Sequence, residues 1–146
     1  MNILILNGPN LNMLGLREPE IYGHHTLDDI KGMCLDKASA MGFTAHFRQS
    51  NHEGELVDWV QNAAIDKDFS ALIINAAAYT HTSIALHDSL KLLNMPIIEV
   101  HISDPQAREA FRHHSYVTPL ASAVIAGKGA QGYVLALEKL GELLKS

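Results

Sequence analysis

The chain has 146 residues, 47% of them hydrophobic, and a formal net charge of −5. This length fits one soluble domain with a substantial core. The acidic balance excludes a nucleic-acid groove, which needs a strongly basic face, but it leaves room for a small anionic substrate held by local charge. No apolar run approaches the roughly 20 residues that cross a membrane. The single cysteine, Cys34, excludes an internal disulfide and suits a reducing cytoplasm.

Strand patterns alternate with helical patterns along the whole chain. Short apolar or β-branched runs predict strands over Ile3–Asn7, Phe43–Gln49, Ala71–Ala76, Ile97–His101 and Ala123–Ala126. Helical spacing predicts helices over Leu27–Met41, Glu55–Lys67, Ser83–Leu93, Pro105–His113 and Gly132–Lys145. Thr26 and Asp29 fit a capping box before the first helix. The second strand is the most mixed in composition and is expected at an edge of the sheet.

This alternation predicts an α/β fold with a parallel sheet covered by helices on both faces. Right-handed crossovers and five strands favour a flavodoxin-like three-layer sandwich of order 2-1-3-4-5, and the length fits a single domain over residues 1–146. The segment from Gly8 to His25 has no clean period, and long loops of this kind are usually lids or disordered. Since the segment carries Arg17 and Tyr22, we interpret it as a mobile lid and expect it to be disordered without substrate.

Polar side chains begin where two short apolar runs end: Asn75 to Ser83 follow the run Ala71–Ile74, and Glu99 to Ser103 follow Ile97 and Ile98. The carboxyl ends of parallel strands are where α/β proteins build their sites. Glu99 and His101 are two residues apart on one strand and share a face. A carboxylate beside an imidazole orients it and favours its protonated form, which suits a general acid. The alternative is a buried ion pair without a catalytic role.

Two further groups of side chains suggest anion binding and base chemistry. Arg108 and Arg112 are four apart on the helix expected after Asp104-Pro105, so with Arg17 they could hold a carboxylate, beside backbone N–H groups at the helix start. The alternatives are a solvated face or salt bridges between subunits. Tyr22 could be a base where a positive charge such as Arg17 favours its phenolate; otherwise it is a packing residue.

Metal and dinucleotide sites are not expected. His81 and His87 are six apart and do not share a helical face, which makes a poor metal pair. The segment Gly127–Gly132 matches G-x-G-x-x-G, but too few residues follow for another βα unit. We interpret its glycines as a tight turn and a close helix–sheet contact, and Cys34 as a core residue.

The motifs together resemble the type II 3-dehydroquinate dehydratase family. The matching segments are Asn7–Asn12, Arg17–Gly23, Arg48–Asn51, Thr80–Ser83, Glu99–Ser103, Arg112–Tyr116 and Gly129–Tyr133. The resemblance implies a flavodoxin-like fold and conversion of 3-dehydroquinate to 3-dehydroshikimate and water without a metal or organic cofactor. It also implies a homododecamer built from four trimers.

The resemblance further implies a role for individual residues. Tyr22 would remove a proton beside the ketone, with Arg17 keeping it ionised. Asn10 would help to stabilise the enolate through an ordered water, and His101, oriented by Glu99, would protonate the departing hydroxyl. The ring hydroxyls and carboxylate would be held by Asn75, His81, Asp88, the backbone of Ile102 and Ser103, and Arg112, while Arg108 would tune Tyr22 or the closed lid.

One segment departs from the family pattern. Many members have a proline and a glycine after the asparagine, whereas this chain has Ala76-Ala77-Ala78. We therefore expect a slightly different loop geometry at the substrate, with no side-chain role lost.

The sequence is compatible with two pathways and with two other classes of function. The reaction would serve the shikimate pathway of aromatic amino acid biosynthesis or, alternatively, quinate breakdown. A non-catalytic module that binds a small hydroxylated acid and a nucleotide-binding flavodoxin-like protein are the competing classes.

Overall fold

The computed structural model describes residues 1–16 and 18–145, which contain a five-stranded parallel sheet of order β2-β1-β3-β4-β5. The strands are β1 (Asn2–Asn7), β2 (Thr44–Gln49), β3 (Ala71–Asn75), β4 (Ile97–His101) and β5 (Ala123–Ala126). The α-helices are α1 (Pro19–Tyr22), α2 (Leu27–Ala40), α3 (Glu53–Asp66), α4 (Ile84–Leu90) and α5 (Gln131–Lys145). The predicted flavodoxin-like order is confirmed, with β2 at an edge. No helix within the described residues is long and apolar enough to cross a membrane.

The side chains of the central strands alternate between two apolar layers. On β1, Ile3 and Ile5 point into the layer covered by α2 and α5, whereas Leu4 and Leu6 point into the layer covered by α3 and α4. Each such side chain is fully buried and contributes about 1.5–3 kcal/mol. Cys34 of α2 lies in the first layer, as predicted, and burial raises the pKa of its thiol to about 12. The two layers fix the sheet and therefore the edge at which its strands end.

Local signals set the start of α2 and the turn before α5. The Thr26 hydroxyl accepts a hydrogen bond from the Asp29 N–H at 3.1 Å, and the Asp29 carboxylate accepts one from the Thr26 N–H at 2.9 Å, which confirms the capping box. Gly127 has φ +75°, and a Cβ on Gly132 would lie 3.5 Å from Val100 and 3.6 Å from Ile125. The glycine motif is thus a tight turn with a close helix–sheet contact, as predicted.

The helix predicted over Pro105–His113 is wrong. Pro105–Ala107 and Ala110–Arg112 form two 3-10 turns, and Arg108 between them is extended. Side chains take the place of helical partners: Asp104 accepts from the Gln106 N–H at 3.0 Å, and the Gln106 amide donates to the His113 carbonyl at 2.9 Å. Since each turn has three residues, the predicted anion site at a helix N-terminus is not present in that form.

Two other expectations need correction. The predicted lid is not wholly irregular, because it contains a 3-10 turn at Leu11–Met13 and the helix α1. Leu11 and Leu14 are buried and tie its first half to the core. The helix α4 ends at Leu90 rather than at Leu93. The role of this segment as a lid stays a prediction.

Candidate active site

A cavity lies at the carboxyl ends of β1, β3 and β4, where the sequence predicted a site. It brings together most of the predicted site residues, which come from five separate parts of the chain. Its lining consists of Pro9, Asn10, Leu11, Tyr22, Asn75, Ala77, Ala78, His81, His101, Ile102, Ser103, Pro105, Arg108 and Arg112. Because these residues come from the ends of neighbouring strands and from the segment after β1, the sheet itself assembles the site.

Glu99 orients the His101 ring through a hydrogen bond between their side chains. The two side chains are almost fully buried, and His101 Nε2 lies 2.5 Å from Glu99 Oε2. The hydroxyls of Thr118 and Ser115 also donate to this carboxylate, at 2.5 and 2.9 Å. Burial acts to raise the pKa of Glu99, but the hydrogen bonds from His101, Thr118 and Ser115 together outweigh it and leave the pKa below its usual value. Glu99 is therefore a carboxylate, and Nδ1 is the His101 ring nitrogen not engaged by it.

Ser115 and Thr118 were missed by the sequence reasoning as partners of Glu99. They lie 16 and 19 residues away along the chain, and such distances carry no periodic signal. They follow the two 3-10 turns that replace the predicted helix. Together with His101, which has the larger effect, they lower the pKa of the Glu99 carboxyl against the opposing effect of its burial.

His81 contributes a neutral ring beside His101. Its Nδ1 lies 2.8 Å from the His114 carbonyl oxygen, which can only accept, so Nδ1 carries the proton. Burial lowers the pKa of His81, the bond to the His114 carbonyl opposes this, and the nearby positive groups lower the pKa further. The rings of His81 and His101 are stacked with centroids 6.5 Å apart. A neutral His81 therefore offers Nε2 as a hydrogen-bond acceptor.

Positive charge lies directly against the predicted base. The guanidinium carbon of Arg108 is 5.3 Å from the centroid of the Tyr22 ring, and Arg108 Nη1 donates to Ser103 Oγ at 3.2 Å. The Nε of Arg112 donates to the Glu109 carboxylate, and Arg112 also lines the cavity. Arg17 lies outside the described residues, so its contact with Tyr22 stays a prediction.

Asn10 and Asn75 enter the cavity from the ends of β1 and β3. Asn10 has a left-handed backbone with φ 68°, and its N–H donates to Asn51 Oδ1 at 3.0 Å. The Gly8 N–H donates to the Asn75 carbonyl at 2.8 Å, and a Cβ on Gly8 would lie 2.4 Å from the Ala76 oxygen. Glycine at position 8 therefore lets the two strand ends approach closely and puts both asparagines at one site.

Asp88 is the predicted binding residue that the fold does not bring to this cavity. It is exposed on α4 and is not part of the lining. The cavity of one chain thus forms without it, and its role in substrate binding stays a prediction.

The segment that departs from the family pattern contains a strained residue. Ala77 has φ +52°, in the left-handed region that favours glycine. This conformation costs an alanine about 1–2 kcal/mol of stability. A glycine would avoid that cost, but its greater freedom in the unfolded chain would cost about 0.4–1 kcal/mol.

We expect Ala77→Gly to stabilise the protein by up to about 1.6 kcal/mol, measured by denaturant unfolding. The matched control is Ala78→Gly, because Ala78 is exposed in the same turn without a positive φ. This control should destabilise by about 0.5–1 kcal/mol. Equal effects of the two substitutions would show that Ala77 carries no strain.

Comparisons with known proteins identify the family to which the chain belongs. The sequence model described as Dehydroquinase class II matches residues 1–141. A 3-dehydroquinate dehydratase of Hyphomonas neptunium is 62% identical over 92% of this chain and 89% of its own length. One of Streptomyces coelicolor is 54% identical over 97% of this chain and 89% of its own length.

A solved structure extends the similarity to the fold. The crystal structure of type II dehydroquinase from Propionibacterium acnes superposes with a TM-score of 0.92 at 45% identity, covering 97% of this chain and 96% of that one. The family model and these relatives each cover nearly the whole chain. The chain therefore belongs to the class II dehydroquinase family.

Proposed function

We propose that the chain is a 3-dehydroquinate dehydratase that eliminates water from 3-dehydroquinate through an enolate and releases 3-dehydroshikimate. The observation that carries this proposal is that a candidate base and a candidate acid lie in the same cavity. A tyrosine lies against a guanidinium, and a histidine is held by a buried carboxylate. Elimination next to a ketone needs such a base and such an acid on separate elements.

In the first step Tyr22, as phenolate, takes the proton from the carbon beside the ketone. The guanidinium of Arg108, whose carbon is 5.3 Å from the centroid of the Tyr22 ring, and in the proposal also that of Arg17, would lie beside the negative charge of the phenolate. The electron pair left by that proton forms the enolate, whose oxygen Asn10 would stabilise through a water molecule. The position of Asn10 in the cavity lining supports this role.

In the second step His101 protonates the leaving hydroxyl. The enolate collapses to restore the ketone, the carbon–oxygen bond breaks, and the hydroxyl departs with the His101 proton as water. Since Nε2 faces Glu99, we assign the transferred proton to Nδ1. The Glu99 carboxylate compensates the positive charge of the imidazolium, which is the protonated state needed before each turnover.

The remaining groups supply complementary contacts for a hydroxylated acid. Arg112 offers a guanidinium to a carboxylate, and neutral His81 offers an acceptor to a hydroxyl hydrogen. The backbone of Ile102 and Ser103 and the amide of Asn75 complete the set. Asp88 does not line the cavity of its own chain, so in the proposal it would contact substrate only from outside that cavity.

The test is direct turnover. The purified protein is mixed with 3-dehydroquinate in a buffer that chelates metals, and the ultraviolet absorbance of the conjugated product is followed. We expect a rise that neither chelator nor borohydride, which traps lysine Schiff bases, diminishes. No rise from folded protein would reject the dehydratase and favour the non-catalytic binding module.

Assembly, location and pathway are further parts of this proposal. The resemblance supports a homododecamer of four trimers, for which sedimentation would give about twelve times the 16.0 kDa mass of the chain. The lone, buried Cys34 suits a cytoplasmic enzyme.

For the pathway we propose shikimate-dependent aromatic biosynthesis, which predicts that gene disruption creates a need for aromatic amino acids. Growth of the disrupted strain without aromatic amino acids, together with loss of growth on quinate as the carbon source, would support quinate catabolism instead.

A further inference from the structure

A buried hydrogen-bonded chain joins α5 to the ends of β1 and β3. Tyr133 is fully buried, and its hydroxyl lies 2.6 Å from Asn7 Oδ1 and 3.0 Å from Asn75 Nδ2. At its far end, Asn7 Nδ2 lies 3.1 Å from the Arg48 carbonyl oxygen. Of the three side chains, Asn75 alone lines the cavity. The chain of bonds therefore connects the catalytic cavity to the core.

The donor and the acceptor of each hydrogen bond in this chain of bonds follow from the Arg48 carbonyl at its far end. The Arg48 carbonyl can only accept, so Asn7 turns its NH₂ group toward it and its Oδ1 toward Tyr133. That oxygen can only accept, so Tyr133 gives its single hydroxyl hydrogen to Asn7. The hydroxyl then has only lone pairs to offer to Asn75, which must donate.

The hydrogen bond at the Asn75 carbonyl oxygen supports the same orientation of the amide. Its Oδ1 accepts a hydrogen bond from the Ala77 N–H at 3.1 Å. The amide is thus held between one donor and one acceptor, and a flip would break both bonds. Burial raises the pKa of Tyr133 far above the usual range of tyrosine, so its hydroxyl remains protonated and keeps donating to Asn7.

We infer that Tyr133 is a positioning residue, which fixes Asn75 so that the remaining Nδ2 hydrogen is presented to an acceptor oxygen of the substrate. The inference rests on the proposed role of Asn75 in binding substrate, and it adds that Asn75 recognises an oxygen through donation. The class of ligand group is a hydroxyl or carboxylate oxygen. Tyr133 itself does not touch the substrate.

The test is Tyr133→Phe, measured by steady-state kinetics and by calorimetric titration with quinate. Quinate is a suitable probe because it is a hydroxylated cyclic acid without the ketone that elimination requires. We expect KM and the quinate Kd to rise about tenfold, with a smaller fall in kcat, because the substitution releases the amide of Asn75. Tyr116→Phe is the matched control: it removes a tyrosine hydroxyl that is not part of this chain of bonds, and it should leave both constants unchanged.

A double-mutant cycle separates positioning from general stability. In an Asn75→Ala background, Tyr133→Phe should cause no further loss of affinity. If Tyr133 had only a structural role, Tyr133→Phe would lower the melting temperature and would weaken quinate binding by the same factor in the wild type and in Asn75→Ala. That result would overturn the inference. If Tyr133→Phe does not fold, Asn7→Ala serves instead, because it releases the hydroxyl hydrogen of Tyr133 and should raise KM in the same way.

The outcomes distinguish this inference from the proposed function. A wild-type protein that turns over, with a Tyr133→Phe variant of equal KM, rejects the positioning role and leaves the dehydratase standing. A wild-type protein that binds quinate in a Tyr133-dependent manner without turnover rejects the dehydratase and leaves the positioning role standing. Absence of both turnover and quinate binding in the wild type rejects both.

Discussion

Tyr22→Phe is expected to lower kcat by roughly 10²- to 10⁴-fold, the range that a positioned acid or base contributes. The substitution removes the phenolic oxygen that would accept the proton, and it keeps the ring against which Arg108 lies. Ring packing, and with it the binding of quinate, should therefore change little. The measurement is the rate of ultraviolet-absorbing product at saturating 3-dehydroquinate.

The control for this experiment is the Tyr116→Phe variant, which should keep the wild-type rate. The melting temperature of Tyr22→Phe should match that of the wild type, because Tyr22 is only partly buried. Turnover close to the wild-type rate would remove Tyr22 as the base. Loss of quinate binding together with turnover would instead assign Tyr22 to substrate binding.

Much of the fold was predictable because local and global signals agree. The strands β4 and β5 have the predicted bounds, and the others differ by one residue at an end. Runs of apolar residues covered on both faces leave little room for another assignment. The order of the strands followed from the crossover rule, and the carboxyl-end rule then placed His101 and Asn75 at one site.

The contacts that were not predictable depend on side chains far apart in sequence. Tyr133 bonds to Asn7 across 126 residues, and no pattern in the chain marks a buried tyrosine as a partner of an amide. The helix predicted after Asp104 failed for a related reason. Its spacing was compatible with a helix, but the chain forms two 3-10 turns there, and His113 Nε2 lies 3.0 Å from the carbonyl oxygen of the extended Arg108.

Arg108 and Arg112 show that a wrong local prediction can still place side chains correctly. They were expected to share the face of one helix, which the two 3-10 turns exclude. Both nevertheless line the cavity, because the turns follow β4 directly and stay at the same edge of the sheet. Asp88 is the opposite case, since its helix was predicted but leaves it exposed.

His101→Ala is expected to lower the dehydration rate by roughly 10²- to 10⁴-fold while leaving the first proton transfer in place. The substitution removes the acid, but Ser115 and Thr118 continue to bond the Glu99 carboxylate. His101→Gln is the matched variant, because its amide can still donate to Glu99 without supplying an acidic proton. Near-normal dehydration by either variant would transfer the acid role to another group.

Deuterium exchange separates the two steps of the proposed mechanism. In D₂O, His101→Ala should still form the enolate and return it with deuterium from the solvent, which nuclear magnetic resonance detects as loss of the proton beside the ketone. Tyr22→Phe should show neither exchange nor dehydration. Exchange lost in both variants would mean that removal of the proton and departure of the hydroxyl are concerted, because a stepwise enolate that depends on Tyr22 alone would survive the loss of His101.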